Sequence, residues 1–181
     1  MAIRRAQLGD RQQIVDIWQQ NRAIIQSYWP EGPDRVPVWT LANAQAHLDA
    51  GAHFAVSVTA GVINAFLVVQ SVRSQPDFDT LLVMAIRLDD AVGTPTQQRA
   101  FLRARLRTEG KALLLAWGND ALSRGVGFCE GAYPLGGNAS MLEMLSNMNA
   151  ANGVVGDLSR SGWVVYRPTP TQLITGLGGV V

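Results

Sequence analysis

The sequence predicts one domain of the mixed α/β or α+β class, in which a central mixed sheet is flanked by helices. Three strand-like segments follow one another in the middle of the chain, and helix-like and strand-like segments alternate after them. The chain has 181 residues, of which 48% are hydrophobic and 16% are charged. It therefore contains enough apolar material for one well-buried core.

The first part of the chain predicts a short strand, a helix, a loop and a second helix. Residues 3–6 alternate weakly between apolar and polar side chains, as a strand does. A helix is predicted to begin at Gly9 and Asp10, because large apolar residues then recur near helical spacing, at Ile14, Ile17, Trp18 and Ile25. Residues 27–37 are rich in proline and glycine and predict an ordered loop. A short helix is predicted for 41–50, with Gly51 ending it.

The middle of the chain predicts three strands. Residues 53–58 and 62–72 are rich in Val, Ile and Phe, and Ala60-Gly61 between them predicts a hairpin turn. Residues 77–80 are expected to interrupt the chain before a third strand over 81–88.

The last part predicts a long helix from Pro95 to about Gly118, with Thr94 or Thr96 capping its start. A short strand, a helix and a closing strand follow, over 126–130, 138–150 and 163–167. We expect the domain to cover residues 1–168. Residues 169–181 form an apolar, glycine-rich tail that we expect to dock on its own domain or on a neighbouring subunit.

Composition excludes several classes of function. A net charge of +1 gives no general reason for binding nucleic acid or an anionic membrane. The single cysteine, Cys129, excludes an internal disulfide, and two distant histidines predict no metal site. No segment has the length of a signal peptide or a membrane span, so we expect a protein of the cytoplasm or of an assembly formed there. The charged fraction of 16% is below the roughly 25% of typical domains, which favours a surface partly covered by a partner.

This order of elements resembles the GNAT (Gcn5-related N-acetyltransferase) family over roughly residues 2–168. The strand at 3–6 with the helix after it is similar to the family's opening. Residues 138–145, which read Asn-Ala-Ser-Met-Leu-Glu-Met-Leu, resemble its second signature helix, and residues 161–167 resemble its closing strand. The resemblance implies a GNAT fold and transfer of an acyl group from acetyl-coenzyme A to an amine.

The sequence departs from the family where the cofactor's pyrophosphate would bind. The resemblance implies an Arg/Gln-x-x-Gly-x-Gly/Ala loop before the long helix, but residues 89–97 read Asp-Asp-Ala-Val-Gly-Thr-Pro-Thr-Gln. Only Gly93 matches, Pro95 lacks an N–H donor, and the two aspartates repel an anion. The family's tyrosine acid falls on Leu145, which carries no transferable proton.

We therefore expect a catalytically degenerate GNAT-like protein without a cofactor, acting as a structural or interaction component. Its layout is also similar to the GNAT-like internal virion proteins of T7-like bacteriophages, so the assembly could be a virion. A protein partner or a second copy would contact aromatic residues of the proline-rich loop, arginines of the long helix and the apolar tail. The predicted contact residues are Tyr28, Trp29, Trp39, Arg99, Arg103, Arg107, Leu177 and Val180.

Two alternatives remain open. The first is an acetyl-coenzyme A-dependent N-acetyltransferase with a divergent pyrophosphate loop and Glu130 as the base. Its cofactor would be bound by Met84, Ala85, Ile86, Gly93, Thr94, Thr96 and Asn138. The second is a nucleic-acid-associated factor that uses a basic stripe, formed at four-residue spacing by Arg99, Arg103, Arg107 and Lys111. No aromatic residues alternate with that stripe, so a stacking platform for single strands is not predicted.

Overall fold

The structure is a computed structural model that describes residues 1–27, 29–88, 94–134 and 162–181. Its strands form one sheet in which spatial order follows chain order. The strands are β1 (Ala2–Arg5), β2 (His53–Thr59), β3 (Val62–Val72), β4 (Phe78–Ile86), β5 (Phe128–Pro134) and β6 (Trp163–Tyr166). Neighbouring strands run antiparallel except β4 and β5, which are parallel. The predicted mixed sheet is confirmed.

Helices cover both faces of the sheet. They are α1 (Arg11–Gln26), α2 (Leu41–Asp49), α3 (Pro95–Arg105), α4 (Lys111–Ser123) and α5 (Pro170–Gly176). A π-helical turn, Leu106–Gly110, joins α3 to α4 without a break. Three of the helices begin with the same device, because Thr40, Thr94 and Thr169 each accept a hydrogen bond from the main chain three residues later.

The core has two layers, one on each face of the sheet. Strand β3 supplies both, because its side chains alternate between the faces. Leu67 and Val69 pack against α4 and α5, whereas Phe66 and Val68 pack against α1 and α2. All four side chains are fully buried. A central strand buried on both faces reads as a continuous apolar run, as residues 65–69 do.

A β-bulge changes the direction of β4. Val68 lies opposite Val83 and Val69 lies opposite Leu81, so Leu82 is an extra residue in β4. Strands β4 and β5 pair over only three residues, Phe78–Thr80 with Phe128–Glu130, and no pairing continues beyond them in the described chain. The two strands therefore separate toward the end of β4.

Several boundaries differ from the sequence prediction. Strand β4 begins at Phe78 rather than 81, because Asp79 within the expected break is buried and hydrogen-bonded. The long helix continues to Ser123, and β5 covers 128–134 rather than 126–130. Residues 170–176 form a helix where only a tail was expected. The helix predicted for 138–150 lies outside the described residues.

Candidate functional site: the separation of strands β4 and β5

The candidate site lies where β4 and β5 separate, because the groups assigned to a cofactor border that gap. Of the predicted residues, Met84 is half-buried on the α4 face, and Ala85 is buried on the opposite face. Ile86 is buried on the α4 face at the end of the strand. The structure therefore brings these three together on β4, next to the separation. Gly93 and Asn138 lie outside the described residues.

At the end of β4, the main-chain groups that face away from β3 already make hydrogen bonds. Arg87 donates its N–H to the Asn64 carbonyl of β3 at 2.7 Å, so Ile86 and Leu88 direct their main-chain groups to the other edge. There the Asn21 side-chain amide donates to the Ile86 carbonyl at 2.7 Å, and the Leu88 N–H donates to the Gln20 side chain at 2.9 Å. Side chains of α1 thus occupy the edge that a bound chain-like ligand would use.

The N-terminus of α3 satisfies its own donors. The Thr94 N–H donates to the Gln97 side-chain oxygen at 2.8 Å, and the Gln97 N–H donates to the Thr94 hydroxyl at 3.4 Å. Pro95 has no N–H. Of the main-chain donors at 94–97, only that of Thr96 stays outside this capping box. A pyrophosphate needs several convergent N–H groups at a helix N-terminus, so the described residues do not fit that group.

Glu130, the predicted base, is part of an ion pair. Arg167 donates to its Oε2 at 2.7 Å, and the Thr80 hydroxyl donates to its Oε1 at 3.1 Å. The side chain is 26% exposed. Both carboxylate oxygens accept hydrogen bonds, so removal of a proton from an amine would compete with the arginine and the hydroxyl.

Of the predicted aromatic contact residues that the structure describes, one is buried and one is partly exposed. Trp39 is only 5% exposed and stacks on His47 at 5.0 Å, so it offers no surface to a partner, contrary to the prediction. Trp29 is half-buried and meets Trp163 edge-on at 4.7 Å. Trp163 donates to Glu31 at 3.0 Å, which ties the proline-rich loop to β6. Tyr28 lies outside the described residues.

The basic stripe is interrupted. Arg103 and Arg107 are exposed, but Lys111 is half-buried with its amine beside Gly178. The cause is the π-helical turn, whose extra residue shifts the phase of the helix between Arg107 and Lys111. Arg99 is described only by its place in α3, as is Thr96. A continuous four-residue stripe is therefore wrong, although the two exposed arginines stay predicted contact residues.

The two predicted contact residues of the tail also differ in exposure. Leu177 is 5% exposed and packs in the core beside α4, so it is unavailable to a partner, contrary to the prediction. Val180 is 93% exposed and stays a predicted contact residue.

A buried charge network at the other end of the sheet was missed by sequence reasoning. Asp79 is fully buried and accepts hydrogen bonds from Ser71 at 2.8 Å, Trp117 at 3.0 Å and Arg124. Burial opposes the charge of Asp79, but these three donors outweigh it and hold the pKa of the carboxyl below its usual range. The hydrogen bond to Asp79, together with one to Asp120, raises the pKa of Arg124 although burial opposes the shift. In the sequence, Asp79 is a single carboxylate in an apolar strand. Its hydrogen-bond partners come from distant segments of the chain, so the sequence alone does not show them.

The single cysteine carries no chemistry here. Cys129 is 1% exposed, and burial raises the pKa of its thiol to about 12. It is therefore a protonated thiol at neutral pH and a poor nucleophile. Among the described residues, no group of three or more His, Cys, Asp or Glu side chains could hold a metal ion.

Solved structures match this arrangement along almost the whole chain. One is the ribosomal-protein-alanine N-acetyltransferase of Brucella melitensis, with a TM-score of 0.64, 15% identity and coverage of 93% of this chain and 99% of that chain. Another is the PaiA N-acetyltransferase of Thermoplasma acidophilum in complex with coenzyme A, with a TM-score of 0.65, 10% identity and coverage of 93% and 98%. This chain has the GNAT fold. The YncA putative acetyltransferase of Salmonella typhimurium, with its cofactor acetyl-CoA, matches at a TM-score of 0.59 and 14% identity over 93% of each chain.

The GNAT fold is a conclusion from shape alone, since identities of 10–15% carry no residue-by-residue correspondence. No protein-family model matches the chain, and no curated protein matches it. In the described part of the chain, no helix combines the length and the apolar character needed to cross a bilayer.

Proposed function

We propose that this GNAT-fold protein does not transfer acyl groups and serves as an interaction component of an assembly. The observation that carries the proposal is the capping box of Thr94 and Gln97, which uses the helix donors that a cofactor pyrophosphate would need. Two further observations support it. Gln20 and Asn21 occupy the edge of β4, and Arg167 pairs with Glu130.

Calorimetry with acetyl-coenzyme A tests the catalytic half of the proposal. We expect no saturable heat for the folded wild-type chain at neutral pH. The Thr94→Gly variant is a useful companion, because it frees the Gln97 N–H without adding bulk. Weak binding by that variant alone would agree with a self-capped helix. Low-micromolar binding by the wild-type chain would overturn the proposal.

The interaction half rests on surface composition. Large apolar side chains are exposed near the starts of α1 and α2, including Leu8 at 54%, Val38 at 56% and Leu41 at 44%. Leu8 and Leu41 flank a contact between the two helices, where Arg11 donates to Gln45 at 2.8 Å. Exposed apolar groups near one another favour a protein partner. A place in a bacteriophage particle, as for the T7-like proteins with a similar layout, is one form of this proposal.

Self-association is the form of interaction that the purified chain can show by itself. We expect its mass, measured by light scattering after gel filtration, to rise between about 5 and 500 µM, a range set by the affinity of weak contacts. The paired substitutions Leu8→Glu and Leu41→Glu should keep it monomeric, whereas Val62→Glu, at the exposed first residue of β3, should not. A monomer at every concentration would contradict self-association.

An active N-acetyltransferase is the second candidate, favoured by the separation of β4 and β5 and by the coenzyme A in two of the similar structures. In that case Met84, Ala85 and Ile86 would contact the cofactor and Glu130 would be the base. Release of free thiol from acetyl-coenzyme A with a panel of amines tests it. Gly93→Leu should abolish turnover without unfolding the chain, and unchanged turnover would count against this assignment.

A further inference from the structure

A small apolar cavity lies between the sheet and the helices α4 and α5, on the face away from Glu130. Its volume is about 50 Å³. The residues that matter for its shape are Leu81, Leu114, Trp117, Gly131, Tyr166 and Leu173. These residues come from β4, β5, β6 and both helices, so three strands and two helices border the cavity, which is partly open to solvent.

The cavity exists because β5 has a glycine where a side chain would face the core. Gly131 lies between Cys129 and Tyr133, which both belong to the α4 side of the core. A Cβ added at Gly131 would meet nothing closer than Leu81 Cδ2, at 4.0 Å. Gly131 is half-buried, and the fully buried Gly118 differs from it, since a Cβ at Gly118 would lie 2.9 Å from Ile174. The missing side chain at Gly131 therefore leaves room that the packing around it does not fill.

The wall includes a tyrosine hydroxyl for which the described residues offer no hydrogen-bond partner. Tyr166 pairs with Gly131 across β5 and β6, lines the cavity and is only 5% exposed. Its hydroxyl makes no hydrogen bond to any residue in the described ranges, and burial raises its pKa. The hydroxyl oxygen is not among the fully buried polar atoms that lack a partner, so it is accessible from the space beside it. The phenol is thus a hydrogen-bond donor available beside an apolar cavity.

We propose that this cavity binds a short aliphatic group that carries one carbonyl oxygen. The aliphatic part fills the space beside Gly131, and the carbonyl accepts a hydrogen bond from the Tyr166 hydroxyl. A cavity of about 50 Å³ is about a third of the volume that accepts benzene, which limits the aliphatic part to about two or three carbon atoms. Binding here does not depend on coenzyme A, so the inference goes beyond the proposed function.

The test uses two probes, butan-2-one and xenon, followed by amide and indole NMR shifts of the full chain. Butan-2-one has both the aliphatic part and the carbonyl, whereas xenon has only the apolar character. We expect saturable shifts at Gly131, Ala132 and the Trp117 indole with both probes, at millimolar concentration because the ligands are small.

Two substitutions separate the parts of the proposal. Tyr166→Phe keeps the apolar wall and removes the donor, so butan-2-one should bind about tenfold more weakly, which corresponds to about 1.4 kcal/mol, while xenon binds unchanged. Gly131→Val should abolish binding of both probes by filling the space. If that variant fails to fold, Gly131→Ala replaces it, because its methyl group has room, and it should weaken both probes. Gly9→Ala, whose Cβ would meet nothing within 4 Å, is the matched glycine control and should change neither.

Three results would overturn the inference. The first is the absence of saturable shifts in the wild-type chain up to about 50 mM of either probe, a limit set by the affinity of such small ligands. The second is binding of the probes by the Gly131 variants as strong as binding by the wild-type chain. The third is an equal loss of affinity for xenon and for butan-2-one in Tyr166→Phe.

Discussion

At the scale of single residues, Asp79 has the most demanding environment in the described chain. Its carboxylate is fully buried and depends on Ser71, Trp117 and Arg124 for hydrogen bonds. Removing one member of a buried ion pair leaves the other charge uncompensated, at a cost of about 3–5 kcal/mol. We expect Asp79→Ala to cost about 3 kcal/mol, the lower end of that range, because Arg124 is 35% exposed.

The measurement is the midpoint of urea unfolding at pH 7. Arg73→Ala serves as the control, since Arg73 is 86% exposed and its pair with Asp77 lies on the surface. The control should unfold at the wild-type urea concentration. A shift of similar size in both variants would contradict a special role for Asp79.

His53 gives the protein a pH dependence of stability. Its Nδ1 lies 3.3 Å from Asp120, its Nε2 is buried without a partner, and burial lowers its pKa although Asp120 and Asp79 oppose the shift. Arg124 and Arg5 add to the lowering. The folded chain thus binds this proton less readily than the unfolded chain, so stability is complete above the ordinary histidine pKa of about 6.5 and falls as pH drops below it.

We expect the melting temperature to fall between about pH 7.5 and 5.5, on either side of that pKa, and the fall to be smaller in His53→Asn. This range lies above the titration of Asp79 and Glu109. Burial opposes the charge of both, but hydrogen bonds outweigh it and lower their pKa values, so their contribution is lost only at more acidic pH. Identical slopes in the wild-type chain and the variant would exclude His53 as the cause.

At the scale of elements, the contact between α4 and α5 depends on a glycine. A Cβ at Gly118 would lie 2.9 Å from Ile174 Cγ1 and 3.5 Å from Leu173. We expect Gly118→Val to cost about 1–3 kcal/mol by forcing the helices apart. In an Ile174→Ala background the added methyl groups have space, so the two substitutions should be less damaging together than the sum of their separate costs.

Thermal unfolding of the two single variants and the double variant measures this coupling. Asn119→Ala, at an exposed neighbouring position, is the control and should change little. Strict additivity of the two costs would show that Gly118 and Ile174 are not in contact.

Elements with local signals could be predicted from the sequence. Ala60-Gly61 predicts the hairpin because such turns require positive φ angles, and the two residues have φ angles of 51° and 81°. The Thr94 cap is predicted by its residue type. Helix α5 begins with the same kind of cap at Thr169, but this signal alone does not predict it, because a helix of seven residues is stable only through burial of its apolar residues against α4. The same holds for the candidate site. Residue types identified Glu130, but only the folded chain shows Arg167 beside it.

At the scale of the whole molecule, the last helix completes the core. Leu173, Ile174 and Leu177 are at most 5% exposed and lie on the α4 side of the sheet. A chain ended after Pro168 would expose that apolar surface. We expect it to lose cooperative thermal unfolding and near-ultraviolet circular dichroism and to aggregate during gel filtration.

A chain ended after Gly179 is the control for this truncation. It loses only Val180 and Val181, which are 93% and 62% exposed, and should melt like the full chain. If both truncated chains melted alike, the last helix would be dispensable for the core.

The π-helical turn has a consequence for how this protein tolerates changes of length. Deleting one residue from Leu106–Gly110 would remove the extra residue that the π turn accommodates, so the segment could rewind as an α-helix while the residues after it keep their direction. Trp117 would still donate its hydrogen bond to Asp79. A deletion between Lys111 and Trp117 would instead rotate Trp117 by about 100° and turn it away from Asp79. Lineages descended from this sequence should therefore lose a residue from this turn and not from the start of α4.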